Sequence, residues 1–220
     1  MNVMADVGTA NHPARGGRAG MVIGVAPAPP SIETERLLLR QWRQEDKAPY
    51  AALNADPEVM KHFPSTLAAA QSDEMVDVMT SVLAENGRGL WATEVKATET
   101  FIGFIGLNLT RFAIFEPRLE VGWRLAKHAW GNGYAPEGAR AVLAFAFERL
   151  ELPGDEVISF TTEDNLKSRR VMEKIGLVHH PTRDFDHPMF PDWPNRRHVL
   201  YAISRERWTA DVAAARHRAD

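Results

Sequence analysis

The sequence has no cysteine among its 220 residues. Disulfide bonds, thiol nucleophiles and cysteine-ligated zinc are therefore excluded, and this composition suits a reducing compartment. An excess of charge of one sign is also missing, since 26 basic and 29 acidic residues give a net charge of −3. So small a net charge creates too weak an electrostatic field to attract nucleic acid or an anionic membrane. No apolar run approaches the roughly 18 residues that a membrane span requires.

What the chain does have is enough apolar residues, 45%, for one sizeable core. Residues 1–30 differ from the rest because they hold 5 Gly, 4 Pro and 6 Ala. That composition predicts a disordered leader over 1–30 and a single domain over 31–220. Prolines interrupt the short apolar stretch of the leader, so it does not match a secretory signal, and we expect a cytoplasmic protein.

Strand and helix patterns alternate along the domain. Apolar runs with β-branched residues predict strands, and apolar residues at helical spacing predict helices between them. This order predicts an α/β fold built on one mixed sheet. The predicted strands are 36–42, 89–96, 101–110, Arg118–Leu125, Glu156–Thr162, 178–184 and Arg197–Ser204, and the predicted helices are 45–54, 66–85, 135–150 and 166–175.

A glycine-rich turn joins the fourth predicted strand to a helix, with the sequence WGNGYAPE over residues 130–137. Two glycines allow the backbone to approach a ligand and to adopt positive φ. Pro136 suits the first helical turn, where its missing N–H is not needed. The free amides and the helix dipole at this end favour an anion. The turn predicts phosphate binding by backbone groups.

Other interpretations of the turn exist. An ordinary strand–helix connection also uses glycine for its geometry. A dinucleotide-binding fingerprint requires Gly or Ala where this chain has Pro136. A P-loop requires a following Gly-Lys-Ser/Thr, which is absent. The turn alone therefore leaves a generic phosphate site and a plain connection open.

The turn and the strand before it, with EVGW over residues 120–123, resemble the acyl-CoA motif of the GNAT acetyltransferase superfamily. In particular they resemble the branch with the bacterial ribosomal-protein N-terminal acetyltransferases. Three further segments agree in order, TERLLLR at 34–40, NLKSRRVMEKIGL at 165–177 and VLY at 199–201. The resemblance covers about residues 31–204. One departure is His128, where the superfamily often has Gln or Arg, and we expect it to tune affinity.

The resemblance implies a central twisted, mostly antiparallel sheet with flanking helices. Its fourth and fifth strands, Arg118–Leu125 and Glu156–Thr162, are expected to splay apart. The pantetheine arm of acetyl-CoA would fill the gap and bond to the backbone near Trp123 and Leu125. Gly122 would mark a bulge, a close approach or a plain sheet position. The expected pyrophosphate contacts are Gly131, Asn132, Gly133, Tyr134 and Ala135, with Asn165 as an N-cap that also contacts the cofactor.

Two residues are candidates for catalysis. Glu120 shares a strand face with Gly122 and Arg124 and is the candidate general base, acting through water. A surface pair of Glu120 with Arg124 is the equally weighted alternative. Ser168 lies on the core-facing stripe of its helix and could protonate the leaving thiolate, as serines of this helix do in related enzymes. A buried serine bonded to its own helix is the alternative.

The function implied is transfer of acetyl from acetyl-CoA to a primary amine. The branch points to a protein N-terminal α-amine, whose pKa of about 7.7–8.0 leaves more neutral amine than lysine's 10.4. A small amine or amino acid, or a non-catalytic acyl-CoA sensor, is the alternative. We expect no metal, because the histidine-rich residues 179–187 fit no zinc spacing. Nucleic acid and membrane partners are not expected, and the chain would be a monomer or homodimer.

Overall fold

The computed structural model of the protein describes residues 30–110, 112, 114 and 116–216. The predicted leader therefore lies outside the described residues, except for Pro30. The carbonyl oxygen of Pro30 accepts a hydrogen bond of 2.8 Å from the indole Nε1 of Trp91. The described chain thus begins at a residue that is tied to the sheet.

Nine strands and five α-helices are present in the described residues. The strands are β1 (Ile32–Glu33), β2 (Leu37–Arg40), β3 (Leu90–Val95), β4 (Thr100–Thr110), β5 (Arg118–Leu125), β6 (Glu156–Thr162), β7 (Val178–His179), β8 (Phe185–Asp186) and β9 (Arg197–Ser204). The helices are α1 (Lys47–Ala55), α2 (Ala69–Asn86), α3 (Tyr134–Arg149), α4 (Leu166–Lys174) and α5 (Arg205–Arg216). None of these helices is long and apolar enough to cross a membrane.

All nine strands form one sheet in the order β1-β2-β3-β4-β5-β6-β9-β7, with β8 also paired to β9. Every neighbouring pair is antiparallel except β5 and β6, which are parallel. That parallel ladder has only two pairs, Leu119 with Val157 and Glu120 with Ile158. Beyond them the strands separate, which confirms the predicted splay in a mostly antiparallel mixed sheet.

The two faces of the sheet carry different helices. On one face Val121 of β5 packs in a core cluster with Val142 and Leu143 of α3. On the other face Phe104 of β4 packs in a second cluster with Tyr50 of α1 and helix α2. Because successive side chains of a strand alternate between faces, β5 serves both layers. Its odd-numbered residues face α3, and its even-numbered residues face α1.

Most predicted elements are present, with ends within two or three residues of the expected ones. The prediction of a strand over 178–184 is wrong in its length. The strand stops at His179, because Pro181 begins a short 3₁₀ turn over Pro181–Arg183 and donates no backbone hydrogen bond. Helix α5 was not predicted. It carries a polar sequence and is held by Trp208, whose ring stacks 5.4 Å from that of Phe147.

Candidate active site

A cleft of about 940 Å³ opens where β5 and β6 separate. Its walls come from the α1–α2 loop, the second half of β5, the glycine-rich turn, the end of β6 and helix α4. Beyond their two paired residues, β5 and β6 are not joined by hydrogen bonds, and this leaves a gap through the sheet. Segments that are far apart in sequence meet around this gap. The cleft therefore connects the α3 face of the sheet with the α1 face.

The glycine-rich turn forms one end of the cleft. Gly131 and Gly133 both have φ of +79°, a conformation that disfavours residues with a Cβ. A Cβ on Gly131 would meet no atom within 4 Å, so the backbone conformation and not space requires glycine there. Gly133 is the N-cap of α3, and Tyr134 and Ala135 follow in its first turn and line the cleft. This end of α3 has the free amides and the dipole that favour an anion.

A polar cluster behind the turn fixes its shape. Arg36 donates from Nη1 to the carbonyl oxygen of Asn132 at 2.9 Å and from Nε to Glu137 at 2.7 Å. The hydroxyl of Thr34 donates to the same carboxylate at 2.6 Å. Burial opposes ionisation of Glu137, but these hydrogen bonds outweigh it and lower its pKa. The side chain of Asn132 bonds back to the carbonyl of Trp130 at 3.1 Å, so it supports the turn and does not line the cleft.

Cations surround the same end of the cleft. The ammonium of Lys167 lies 4.2 Å from the ring centroid of Trp130, which joins α4 to the turn. Arg170 and Lys174 of α4 also line the cleft. His128, the residue that departs from the superfamily pattern, is exposed and is not part of the lining. Positive charge near a helix N-terminus suits a polyphosphate.

The predicted pantetheine contacts lie on the wall made by β5. Trp123 and Leu125 both line the cleft, beyond the last residue that pairs with β6. The carbonyl oxygen of Leu125 already accepts a hydrogen bond of 2.8 Å from Trp130 Nε1. Gly122 also lines the cleft, and it pairs with Gly106 of β4 without a shift in register. It is therefore an ordinary position of the β4–β5 ladder.

Helix α4 begins on the opposite wall. Asn165 is its N-cap, as expected, and accepts a hydrogen bond of 3.2 Å from the backbone N–H of Ser168. The amide nitrogen of the Asn165 side chain donates to Thr161 Oγ1 at 2.9 Å. Ser168 is half-buried and lines the cleft, and Met172 further along the same stripe is buried. Both predicted residues of this helix therefore lie at the cleft.

Glu120 lies at the closed end of the splay, as the last residue of β5 that pairs with β6. Its carboxylate is buried and accepts a hydrogen bond of 3.2 Å from the hydroxyl of Thr110. Glu120 is not among the residues that line the cleft. The alternative of a surface pair with Arg124 is wrong, because both residues are buried by tertiary contacts that the strand pattern does not reveal.

Arg124 is a cleft residue that the sequence did not single out as functional. Its Nη1 donates to Oδ1 of Asn54 at 2.6 Å, and its Cζ lies 4.2 Å from the ring centroid of Phe63. Burial lowers the pKa of its guanidinium, and Tyr50 offsets this in part. Its partners come from α1 and the loop after it, so no local motif could have identified this environment.

Two further polar residues, His62 and Ser159, lie at the cleft. His62 lies with Nδ1 at 3.2 Å from Oδ1 of Asp164 and at 3.2 Å from Oγ1 of Thr162. Burial lowers the pKa of His62 more than Asp164 raises it. Ser159 of β6 is 1% exposed, and its hydroxyl has no hydrogen-bond partner among the described residues. A buried polar group of this kind calls for an explanation such as a ligand.

His187 of the histidine-rich region belongs to a separate cluster of buried rings. His187 and His198 lie 5.0 Å apart between their ring centroids and pack against Phe160 and Phe185. Burial lowers the pKa of His187 to about 4 and that of His198 to about 3. In the described part of the chain, no three histidine, aspartate or glutamate side chains are grouped as metal ligands would be.

Comparison with known proteins decides the family. Residues 36–178 match the model of the acetyltransferase (GNAT) domain. The chain belongs to the GNAT acetyltransferase family. The resemblance seen in the sequence motifs is therefore confirmed, and this GNAT protein is an acyl-CoA-dependent acetyltransferase.

Among relatives of this GNAT protein, FsC-acetyl coenzyme A-N(2)-transacetylase of Aspergillus fumigatus is 33% identical over 196 residues, which is 82% of this chain and 79% of the relative. The GNAT acetyltransferase of Bacillus anthracis has a similar structure, with a TM-score of 0.65 and 25% identity over 80% of this chain and 99% of that one. RimJ of Mycobacterium smegmatis, solved with CoA-disulfide, superposes with a TM-score of 0.63 and 19% identity over 83% and 95% of the two chains.

Proposed function

We propose that the protein transfers the acetyl group of acetyl-CoA to a primary amine by direct attack within the cleft. The observation that carries this proposal is the continuity of one cleft from the helix-capping turn at Gly131 and Gly133 to the gap between β5 and β6. Acetyl-CoA needs a polar site for its pyrophosphate and a narrow slot for its pantetheine arm, and the cleft offers them in that order.

The cofactor contacts follow from this placement. The pyrophosphate would lie over the backbone amides from Gly131 to Ala135, with Asn132 holding the turn from behind. The pantetheine arm would run along β5 past Trp123 and Leu125 and beside Asn165 of α4. The hydroxyl of Ser159 would donate to a polar atom of this arm, because it is buried at the cleft without another partner.

The chemistry forms one bond and breaks another. The neutral amine attacks the thioester carbonyl, the new C–N bond forms, and the C–S bond breaks with loss of the CoA thiolate. Glu120 would accept the proton of the amine through water, since it lies at the closed end of the splay. Ser168, on the opposite wall, would donate a proton to the thiolate.

Two acceptor classes agree with separate observations. A protein N-terminal α-amine agrees with the branch that the sequence motifs resemble and with the lower pKa of such amines. A small-molecule amine agrees with the relative from Aspergillus fumigatus, whose name describes transfer from acetyl coenzyme A to an N(2) position. We infer a cytoplasmic reaction in both cases, carried out by a monomer or homodimer without nucleic acid or membrane partners.

Release of free CoA from acetyl-CoA, measured over a panel of small amines and N-terminal peptides, tests the proposal. We expect turnover with one of the two classes and acetylation at nitrogen, which mass spectrometry of the product would show. Tight acetyl-CoA binding without turnover of any acceptor would contradict the proposal. That result would favour a non-catalytic acyl-CoA sensor, which needs the turn but neither Glu120 nor Ser168.

A further inference from the structure

The guanidinium of Arg124 is buried without an acidic partner. Only 4% of the residue is exposed, and in the described part of the chain no acidic side chain pairs with it. Its hydrogen bonds come from Nη1, to Oδ1 of Asn54 at 2.6 Å and to the hydroxyl of Tyr50 at 3.5 Å. Both partners are neutral. A buried charge that no opposite charge compensates is unfavourable unless a ligand supplies one.

A second buried arginine, Arg40, does have acidic partners. Arg40 is similarly inaccessible, but it donates to Asp46 at 2.8 Å and to Glu94 at 2.9 Å. Two carboxylates thus compensate its charge within the fold. Arg124 differs from Arg40 in that it lines the cleft. The missing counter-charge of Arg124 is therefore at a place that a ligand can reach.

The geometry of Arg124 leaves one edge of its guanidinium for such a ligand. The ring centroid of Phe63 lies 4.2 Å from Cζ, and that of Phe104 lies 5.6 Å from it. Nη1 is occupied by Asn54, whereas Nε is buried and has no hydrogen-bond partner among the described residues. Two N–H groups on the Nε–Nη2 edge match the two oxygens of a carboxylate.

The position of Arg124 in the sheet separates it from the phosphate end of the cleft. Even-numbered residues of β5 face α1, whereas α3 and its glycine-rich turn lie on the opposite face. Arg124 shares the α1 face with Glu120, the proposed base, about 13 Å further along the strand at 3.3 Å per residue. The anion that Arg124 lacks is thus expected on the side of the acceptor and not of the CoA phosphates.

We propose that Arg124 binds a carboxylate of the acceptor, so that the preferred substrates are amines that also carry an anionic group. This inference rests on the proposed acetyl transfer to a primary amine and specifies its substrate class. The carboxylate belongs either to a small amino acid or to an acidic residue near a peptide N-terminus, and the chemistry at Arg124 is the same for both.

The wild-type enzyme provides the first test. Glycine, β-alanine and 4-aminobutyrate are compared with their carboxamides, and peptides with Asp or Glu at the first two positions are compared with their Asn and Gln counterparts. We expect kcat/KM to be about tenfold or more higher for the carboxylate in at least one series. Amidation lowers the pKa of a nearby amine and raises its neutral fraction, so this effect opposes the expected preference. The chain-length series also reports the distance between the amine and Arg124.

Substitution of Arg124 provides the second test. We expect Arg124→Met to reduce the carboxylate preference to less than about threefold and Arg124→Lys to retain part of it, since lysine keeps the charge but not the fork. The dissociation constant of acetyl-CoA should not change in either variant. Arg149→Met is the matched control, because Arg149 is exposed at the end of α3 and does not line the cleft. Thermal unfolding shows whether each variant is folded.

The outcomes separate this inference from the proposed function. Turnover of amines with no carboxylate preference in either series would overturn the role of Arg124 and leave acetyl transfer intact. A weaker acetyl-CoA affinity in Arg124→Met with an unchanged acceptor KM would also overturn it, because the missing anion would then belong to the cofactor. Absence of turnover with any amine would remove the proposed function and this inference with it.

Discussion

The imidazole of His62 lies with Nδ1 3.2 Å from Oδ1 of Asp164 and so joins the loop after α1 to the loop after β6. The same aspartate accepts a hydrogen bond of 2.7 Å from Thr162. The next residue, Phe63, places its ring against the guanidinium of Arg124. His62 therefore joins two loops that line the cleft, and we infer that it holds the acceptor side of the cleft in shape.

Replacement of His62 or Asp164 should loosen this loop. We expect His62→Ala and Asp164→Asn to raise the acceptor KM by about five- to tenfold and to change kcat less than about twofold, because positioning and not chemistry is lost. Steady-state kinetics with both substrates measures the effects on the acceptor KM and on kcat separately. Arg149→Ala, which changes an exposed residue outside the cleft, is the control. A fall in kcat together with loss of the acidic limb of the wild-type pH profile would instead identify His62 as the proton acceptor.

Glu120 and Ser168 should affect kcat and not cofactor binding. Glu120→Gln keeps an oxygen for the Thr110 hydroxyl but cannot accept a proton, and we expect kcat to fall by about 10². Ser168→Ala removes the proposed proton donor to the thiolate, and we expect a smaller fall of about tenfold. Single-turnover kinetics with saturating acetyl-CoA measures both effects. Unchanged rates in either variant would remove the role proposed for that residue.

Patterns that depend on neighbouring residues predicted much of this fold. The strands Arg118–Leu125, Glu156–Thr162 and Arg197–Ser204 have the predicted ends, because each is an apolar run bounded by polar or turn residues. The motif at 130–137 likewise predicted a turn in which glycine can adopt positive φ before a helix over 135–150, and the helix begins one residue earlier, at Tyr134. Local chemistry determines both features, so one sequence was sufficient to find them.

Features that depend on tertiary contacts were not predictable in the same way. The sequence allowed Glu120 and Arg124 to form a surface pair, whereas α1 and its loop bury Arg124 through Asn54 and Phe63. Arg124 and Asn54 are 70 positions apart in the sequence, and no periodicity connects them. Ser159 was not predictable for the same reason, since only the splay of two strands makes it a cleft residue.

The two positive-φ glycines of the turn should be required for cofactor binding. Gly131→Ala and Gly133→Ala force a Cβ into a left-handed conformation at a cost of about 1 kcal/mol. We expect the distorted amides to weaken acetyl-CoA binding by about tenfold, which isothermal titration calorimetry measures. Gly87→Ala is a matched control, because Gly87 has φ of +62° at the end of α2 and lies outside the cleft. It should lose similar stability and bind acetyl-CoA normally; weakened binding there would contradict the role of the turn.

The hydroxyl of Ser159 should affect stability and cofactor binding in opposite directions. Ser159→Ala removes a buried hydroxyl that has no partner among the described residues, so the free energy of unfolding should stay constant or rise. If the hydroxyl donates to pantetheine, the KM for acetyl-CoA should rise by about three- to tenfold. Denaturant unfolding without cofactor and steady-state kinetics measure the two quantities. Loss of stability with an unchanged KM would show that Ser159 serves the fold alone.

The paired imidazoles of His187 and His198 should make the protein acid-sensitive. Burial lowers their pKa values to about 4 and about 3, whereas an unfolded histidine titrates near 6.5. The unfolded state therefore binds more protons below pH 6.5, and the stability present above that pH is lost as the pH falls towards the folded pKa values.

Between pH 6.5 and pH 5 we expect a loss of roughly 1.5 kcal/mol for each imidazole. Urea unfolding over this pH range measures the slope of the unfolding free energy against pH. His187→Phe should reduce it, because a phenyl ring fits among Phe112, Phe160 and Phe185 and does not titrate. His128→Gln, at an exposed position, should leave the slope unchanged. A slope equal to that of the wild type in His187→Phe would show that carboxylates elsewhere, and not this cluster, cause the acid sensitivity.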